Sequence, residues 1–92
     1  MRILWSAAAQ ADLGRLHSFL ARHNLDAADA SLDLLPAAPE SLLDFPRRGS
    51  RLSEFEPREV REFRIANYLL RYELAGTDIF VLRFFHARED PF

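Results

Sequence analysis

The stretch VREFRIANYLLRYELAGTDIFVLRFFH, residues 60–86, decides the fold. Apolar residues recur in it with a period of two: Phe63 and Ile65, then Tyr68, Leu70, Tyr72 and Leu74, then Phe80, Leu82 and Phe84. Side chains that alternate in this way belong to half-buried strands, so the stretch reads as three of them. Ala66-Asn67 and Ala75-Gly76-Thr77-Asp78 separate the strands, and both are short and turn-prone, which predicts consecutive antiparallel hairpins. With Phe80, Leu82 and Phe84 on the core face, the opposite face of the last strand carries Ile79, Val81, Arg83 and Phe85. Val60, Leu69 and Arg71 join them from the neighbouring strands. That face is half apolar and half arginine, a pattern expected of a surface that something else covers. The terminal Asp90-Pro91-Phe92 or a second molecule is the simplest alternative cover.

Upstream the period changes. Arg2 to Trp5 is a short apolar run of strand type, and Ser6 stands where a helix N-cap accepts backbone N–H bonds. Trp5, at this junction, is expected in the core. From Ala7 to His23, Ala9, Leu13, Leu16 and Leu20 recur at spacings of three and four, with Asp12, Arg15, Ser18 and Arg22 assigned to the outer face. Asn24 ends this helix and Asp26 caps a second, whose apolar positions are Ala28, Leu32 and Leu35. Pro36 predicts a break or kink, and Pro39 the first turn of a further short helical piece. Phe45-Pro46-Arg47-Arg48-Gly49 reads as a turn, and residues 50–59 as a charged surface loop. The expected architecture is therefore α+β, in the order β-α-α-β-β-β. A helical hairpin packs on one face of a small antiparallel sheet, as one domain over residues 1–92.

Ninety-two residues, 49% of them hydrophobic, suffice for one core. There is no cysteine, so apolar packing must hold the fold, and a reducing cytoplasm fits. No apolar stretch has the length of a signal peptide or membrane span, so no membrane partner is expected. All twelve basic residues are arginine against fourteen acids, and the net charge of −2 disfavours nonspecific nucleic-acid binding. The charge is uneven: residues 1–46 hold three arginines and six acids, residues 47–92 nine and eight. Any anionic target is met by the second half.

The order of these pieces carries a resemblance. A strand followed by Trp5-Ser6, an alanine-rich helix containing Ala11-Asp12-Leu13, and a second helix leading to Phe45-Pro46-Arg47-Arg48-Gly49 come first. Arg61-Glu62-Phe63-Arg64, Tyr68-Leu69-Leu70-Arg71-Tyr72 and Val81-Leu82-Arg83-Phe84-Phe85-His86-Ala87-Arg88 follow. From end to end this resembles the ParE/RelE superfamily, the toxin half of type II toxin–antitoxin pairs. Resemblance to the RelE branch implies a ribosome-dependent mRNA endonuclease with clustered basic residues and a late tyrosine. Here Val60 and Glu62 stand where that branch tends to place lysines, Leu69 stands where it places an arginine, and the chain reaches Phe92 without the tyrosine. Only Arg88 matches. Phosphodiester cleavage needs a base, an acid and charge stabilisation, which one arginine does not supply.

The resemblance thus falls to the ParE branch and implies a non-enzymatic inhibitor of DNA gyrase; the alternatives are a ribosome-dependent mRNA endonuclease with a substituted active site, using Arg64, Arg83 and Arg88 with His86, or a non-toxic relic of the fold that only binds a partner. It also implies neutralisation by a cognate, ParD-like antitoxin whose disordered tail folds on binding. No direct sequence-specific DNA binding by the chain alone is expected. The residues expected to meet the antitoxin or the target are Arg61, Arg64, Leu69, Arg71, Val81, Arg83, Phe85, His86 and Arg88, with Arg83 foremost. Guanidinium groups bond carboxylates and phosphates in a fixed, bidentate geometry. For each arginine the alternative is an ordinary salt bridge, with Glu62, Glu73 and Glu89 as partners. His86 reads as a structural hydrogen-bonding residue rather than a general base. His17 and His23 are six apart on a helix, which gives no metal pair, and no cofactor motif is present.

Overall fold

The computed structural model describes residues 1–89. The chain runs β1 (Arg2–Trp5), α1 (Ala7–Ala21), α2 (Leu25–Ala37), a 3-10 turn at Ala38–Leu42, β2 (Ser50–Arg51), a second 3-10 turn at Ser53–Phe55, β3 (Glu59–Ile65), β4 (Tyr68–Ala75) and β5 (Asp78–His86). The strands form one sheet in the order β1-β5-β4-β3-β2. The three long strands pair antiparallel as expected, while β1 lies parallel to β5. The sheet is thus antiparallel from β2 to β5 and parallel at β1 alone among the described residues. The chain between β1 and β5 runs through both helices and then β3 and β4, a long crossover of the kind parallel neighbours need.

Both hairpins turn on two residues, with Ile65 opposite Tyr68 and Ala75 opposite Asp78. Tight turns of this kind need left-handed backbone, supplied by Ala66 at φ 52° and Gly76 at φ 61°. Ser6 caps α1 as predicted, its Oγ accepting the Ala9 N–H at 2.9 Å. Asn24, expected only to end α1, is the N-cap of α2, accepting the Ala27 N–H at 3.0 Å; Asp26 lies inside the first turn. Pro36 does not break α2. It sits one residue before the end of the helix, so the single intrahelical bond it forfeits falls at the terminus and the helix passes it to end at Ala37. The chain then tightens into the 3-10 turn carrying Pro39, and this keeps Leu35, Ala38 and Leu42 in the core. The buried stripe of α2 is Ala28, Ser31 and Leu35, and Leu32, expected there, faces outward. Within 50–59, read as loop, Ser50 and Arg51 pair with Glu62 and Arg61.

The largest correction lies in β5. Arg71 pairs with Arg83 but the next residue, Tyr72, pairs with Val81, so Leu82 is an extra residue in the strand. Such a bulge reverses the facing of everything on one side of it. Ile79 and Val81 therefore point into the core with Phe84, and all three are fully buried. Phe80, assigned to the core, lies half-buried on the opposite face, paired with Glu73 and Leu4. Val81 leaves the expected contact surface for the same reason.

The core fills the space between α1, α2 and one sheet face, with Leu16, Leu35, Leu70, Tyr72, Val81 and Phe84 at its centre. Trp5 packs there as predicted, its ring 5.3 Å from that of Phe84. Each such large apolar side chain contributes about 1.5–3 kcal/mol on burial. The helices cover this one face only.

Candidate functional site

The helix-free face of the sheet presents Glu62 and Arg64 from β3, Leu69, Arg71 and Glu73 from β4, and Phe80, Arg83 and Phe85 from β5. At its centre lies Phe85, only 6% exposed although no helix covers it. Two guanidinium groups shield it, Arg71 at 5.2 Å and Arg83 at 5.0 Å from the ring centroid. Arg71 also stands 5.4 Å from the Phe55 ring and donates to Glu62 at 2.9 Å. Cation–π stacking of this sort holds an arginine flat on an aromatic surface and leaves its edge for carboxylates. The second 3-10 turn folds over the β3 side of the face, where Arg58 pairs with Glu73 at 2.8 Å and Val60 is fully buried. Part of the apolar strip is therefore covered by the chain's own arginines and loop. The remaining cover expected from Asp90-Pro91-Phe92 lies outside the described residues.

Arg83 reaches from this face around the edge of β5. Strand β1 ends at Trp5 opposite Val81, and beyond that point the edge of β5 away from β4 has no neighbouring strand. Helix α1 takes the strand's place with side chains. Ser6 Oγ donates to the Leu82 carbonyl at 2.8 Å, Asp12 Oδ2 accepts the Phe84 N–H at 2.8 Å, and Arg15 donates to the Phe84 carbonyl at 2.8 Å. Glu89 Oε1 accepts the His86 N–H. Asp12, placed on the outer face of α1 by its sequence position, is instead 3% exposed and receives both Arg83 and Arg15. Burial pushes its carboxyl up, but the bonds from Arg83, Phe84 and Arg15 outweigh it and hold the group below the usual carboxylate range. Arg15 also pairs with Glu89.

The nine residues expected at the interface separate accordingly. Arg64, Leu69, Arg71, Arg83 and Phe85 share the helix-free face. Arg61 does not: it pairs with Tyr72 on the core side, donating to the Gly49 carbonyl at 2.7 Å and to Glu59 at 2.9 Å. It braces the Phe45–Gly49 turn together with Tyr72, whose hydroxyl donates to the Pro46 carbonyl and accepts the Gly49 N–H. Val81 is in the core. His86 is buried at the core-side end of β5, its ring 5.6 Å from Phe19 and 5.2 Å edge-on from Tyr68. Burial, then the Arg88 charge, depress its pKa, with Glu89 opposing. Arg88 is exposed in the turn after β5. Asp12 and Phe55 are the participants that sequence reading missed. Asp12 carried a signal, since it lies between Ala9 and Leu16 at the spacing of the buried stripe.

Comparison with known proteins bears on the whole chain. The family described as ParE toxin of type II toxin-antitoxin system, parDE, matches residues 3–91. Toxin RelE1 of Caulobacter vibrioides is 32% identical over 87 residues, covering 95% of this chain and 94% of that protein. A chain in the solved structure of the chromosomal ParDE TA system from P. aeruginosa has the same fold, with a TM-score of 0.76 at 18% identity. The match covers 96% of this chain and 97% of that one.

Proposed function

Because the chain belongs to the ParE toxin family of type II toxin–antitoxin systems, we propose that it acts in the cytoplasm as a non-enzymatic inhibitor of DNA gyrase. In the same reading a ParD-like antitoxin neutralises it by lying on the helix-free sheet face. A toxin of such a system is paired with a cognate antitoxin. The observation that carries it is Phe85 held between Arg71 and Arg83 on a face no helix covers. An amphipathic, acidic segment suits this face: its apolar residues meet half-buried Leu69 and Phe80 beside the anchor, and its carboxylates meet exposed Arg64 and compete with Glu62 and Asp12 for Arg71 and Arg83.

The endonuclease alternative calls on Arg64, Arg83, Arg88 and His86 together. Arg64 and Arg83 lie on the helix-free face, Arg83 is engaged by Asp12, and His86 opens toward the other side of the sheet. Arg64 and Arg83 thus lie on the face opposite His86, which favours a binding mechanism over chemistry.

The test is DNA supercoiling by purified gyrase on relaxed plasmid, with the folded chain titrated in. Inhibition with trapped, cleaved DNA supports the reading, and prior addition of antitoxin must abolish it. Undisturbed gyrase at large excess of chain overturns it, and message cleaved within codons in a translating extract puts the endonuclease in its place.

A further inference from the structure

The core-side end of the sheet holds a second candidate, separate from the face assigned above. The end of α1, the start of α2, the β3–β4 turn and the residues after β5 enclose a cleft of about 360 Å³ lined by Phe19, Leu20, His23, Asn24, Ala27, Asn67, His86 and Arg88. Five of these eight side chains are polar, two are imidazoles, one is a guanidinium, and none is a carboxylate. Glu89 accepts the His86 N–H and pairs with Arg15, and Asp26 is exposed on α2 outside the lining.

The donors have defined orientations. His86 Nδ1 accepts the Arg88 backbone N–H at 3.1 Å, so the neutral ring carries its proton on Nε2 and offers a donor there. The Asn24 side-chain oxygen is occupied by the Ala27 N–H, which leaves its amide nitrogen to donate. The first turn of α2, thirteen residues long, brings its positive end to the same place. Arg88 makes no ion pair among the described residues. The Phe19 ring, tilted 47° to that of His86, supplies an aromatic wall.

From this arrangement we propose that the cleft binds a small phosphomonoester bearing a flat ring, the chemical class of a mononucleotide. Arg88 and His23 take the phosphate, His86 Nε2–H and the Asn67 amide donate to the ligand's polar edge, and the ring lies on Phe19. A guanidinium with imidazole and amide donors suits a phosphate dianion, and the exposed Arg88 charge beside the two imidazoles favours an anion over a cation. The volume lies at the lower end of small-molecule sites, enough for one phosphate and one ring system. This site stands whether or not gyrase is the target.

The experiment follows the histidine imidazole resonances of the full chain by NMR during titration with AMP, adenosine and inorganic phosphate in turn. AMP is expected to shift His23 and His86 saturably with Kd below about 1 mM, and phosphate alone to bind about tenfold more weakly. Adenosine should leave both still. His17, hydrogen-bonded to Asp29 outside the cleft, is the internal control and must not move. Arg88→Ala, at an exposed position, should weaken AMP about tenfold or more without lowering Tm; Phe19→Leu should reduce AMP to the affinity of phosphate. Three results overturn the proposal: no saturable shift up to about 10 mM AMP, equal movement of His17, or unchanged AMP binding by Arg88→Ala.

Discussion

Replacing Asp12 should unfold this protein more readily than replacing any other surface-patterned residue of α1. The carboxylate accepts from the Phe84 backbone and from two guanidiniums, and is 3% exposed. Breaking a fully buried pair costs about 3–5 kcal/mol, because the surviving charge is stranded. Here the survivors are not stranded: the Arg15 and Arg83 side chains are 38% and 41% exposed and can turn to water. What Asp12→Ala leaves is the Phe84 N–H without an acceptor, about 1–3 kcal/mol, together with the lost charge-assisted bonds. A total near 3 kcal/mol follows, or on the order of 15 °C in Tm for a domain of this size. Asp12→Asn keeps an oxygen for Phe84 but loses the charge, so about half that is expected. Urea and thermal unfolding followed by circular dichroism give both numbers, and a cycle with Arg83→Met should show coupling of about 1 kcal/mol. A loss by Asp12→Ala within about 0.5 kcal/mol of zero, ordinary for surface positions, refutes the edge-sealing role.

Gly49→Ala should cost about 2 kcal/mol in urea unfolding, since its Cβ meets the Tyr72 hydroxyl at 2.7 Å and the Glu62 carbonyl at 2.9 Å; Tyr72→Phe, which orphans the Gly49 N–H, should cost about 1–3 kcal/mol. Val81→Ala should lose more than about 2 kcal/mol while Phe80→Ala loses clearly less, and the reverse order would place the β5 bulge elsewhere. Stability against pH should fall in two steps. The depressed pKa of buried His86 favours the neutral ring, so its contribution is whole above about pH 6.5 and is lost as pH drops through the folded value; His86→Gln removes this step. Asp12, also depressed, holds its contribution above about pH 4 and loses it as pH falls through its folded value, a step that Asp12→Asn removes.

The elements of this fold were legible because each rests on local periodicity. The strands after Glu59, the Ser6 cap and the amphipathic α1 all follow from residues within a few positions of one another. The errors arise where distant contacts decide. Nothing near Leu82 marks a bulge; it exists because Phe84 must face the core behind Trp5 while Arg83 reaches Asp12, 71 residues away. The reversed facing of Phe80 and Val81 is the direct result. Asp12 was misread because charge outweighed position: at the spacing of the buried stripe an acid is buried only if partners arrive from elsewhere in the chain. For the candidate site, residue type identified Arg71, Arg83 and Phe85, but not that Arg61 braces the Gly49 turn through backbone carbonyls.

Strand β1 is made first and β5 last, yet the two lie side by side, and the edge of β5 is closed by groups from Ser6, Asp12 and Arg15. During synthesis, residues 1–60 therefore have apolar faces with no sheet to rest on, and the N-terminal strand has no neighbour until Asp78 onward has emerged. Contacts of such long sequence separation form late. A nascent chain interrupted before Phe84 lacks both the sealed edge and the Arg71–Phe85–Arg83 cluster. Completion of β5 therefore seats the N-terminal strand and assembles the Arg71–Phe85–Arg83 cluster in one step.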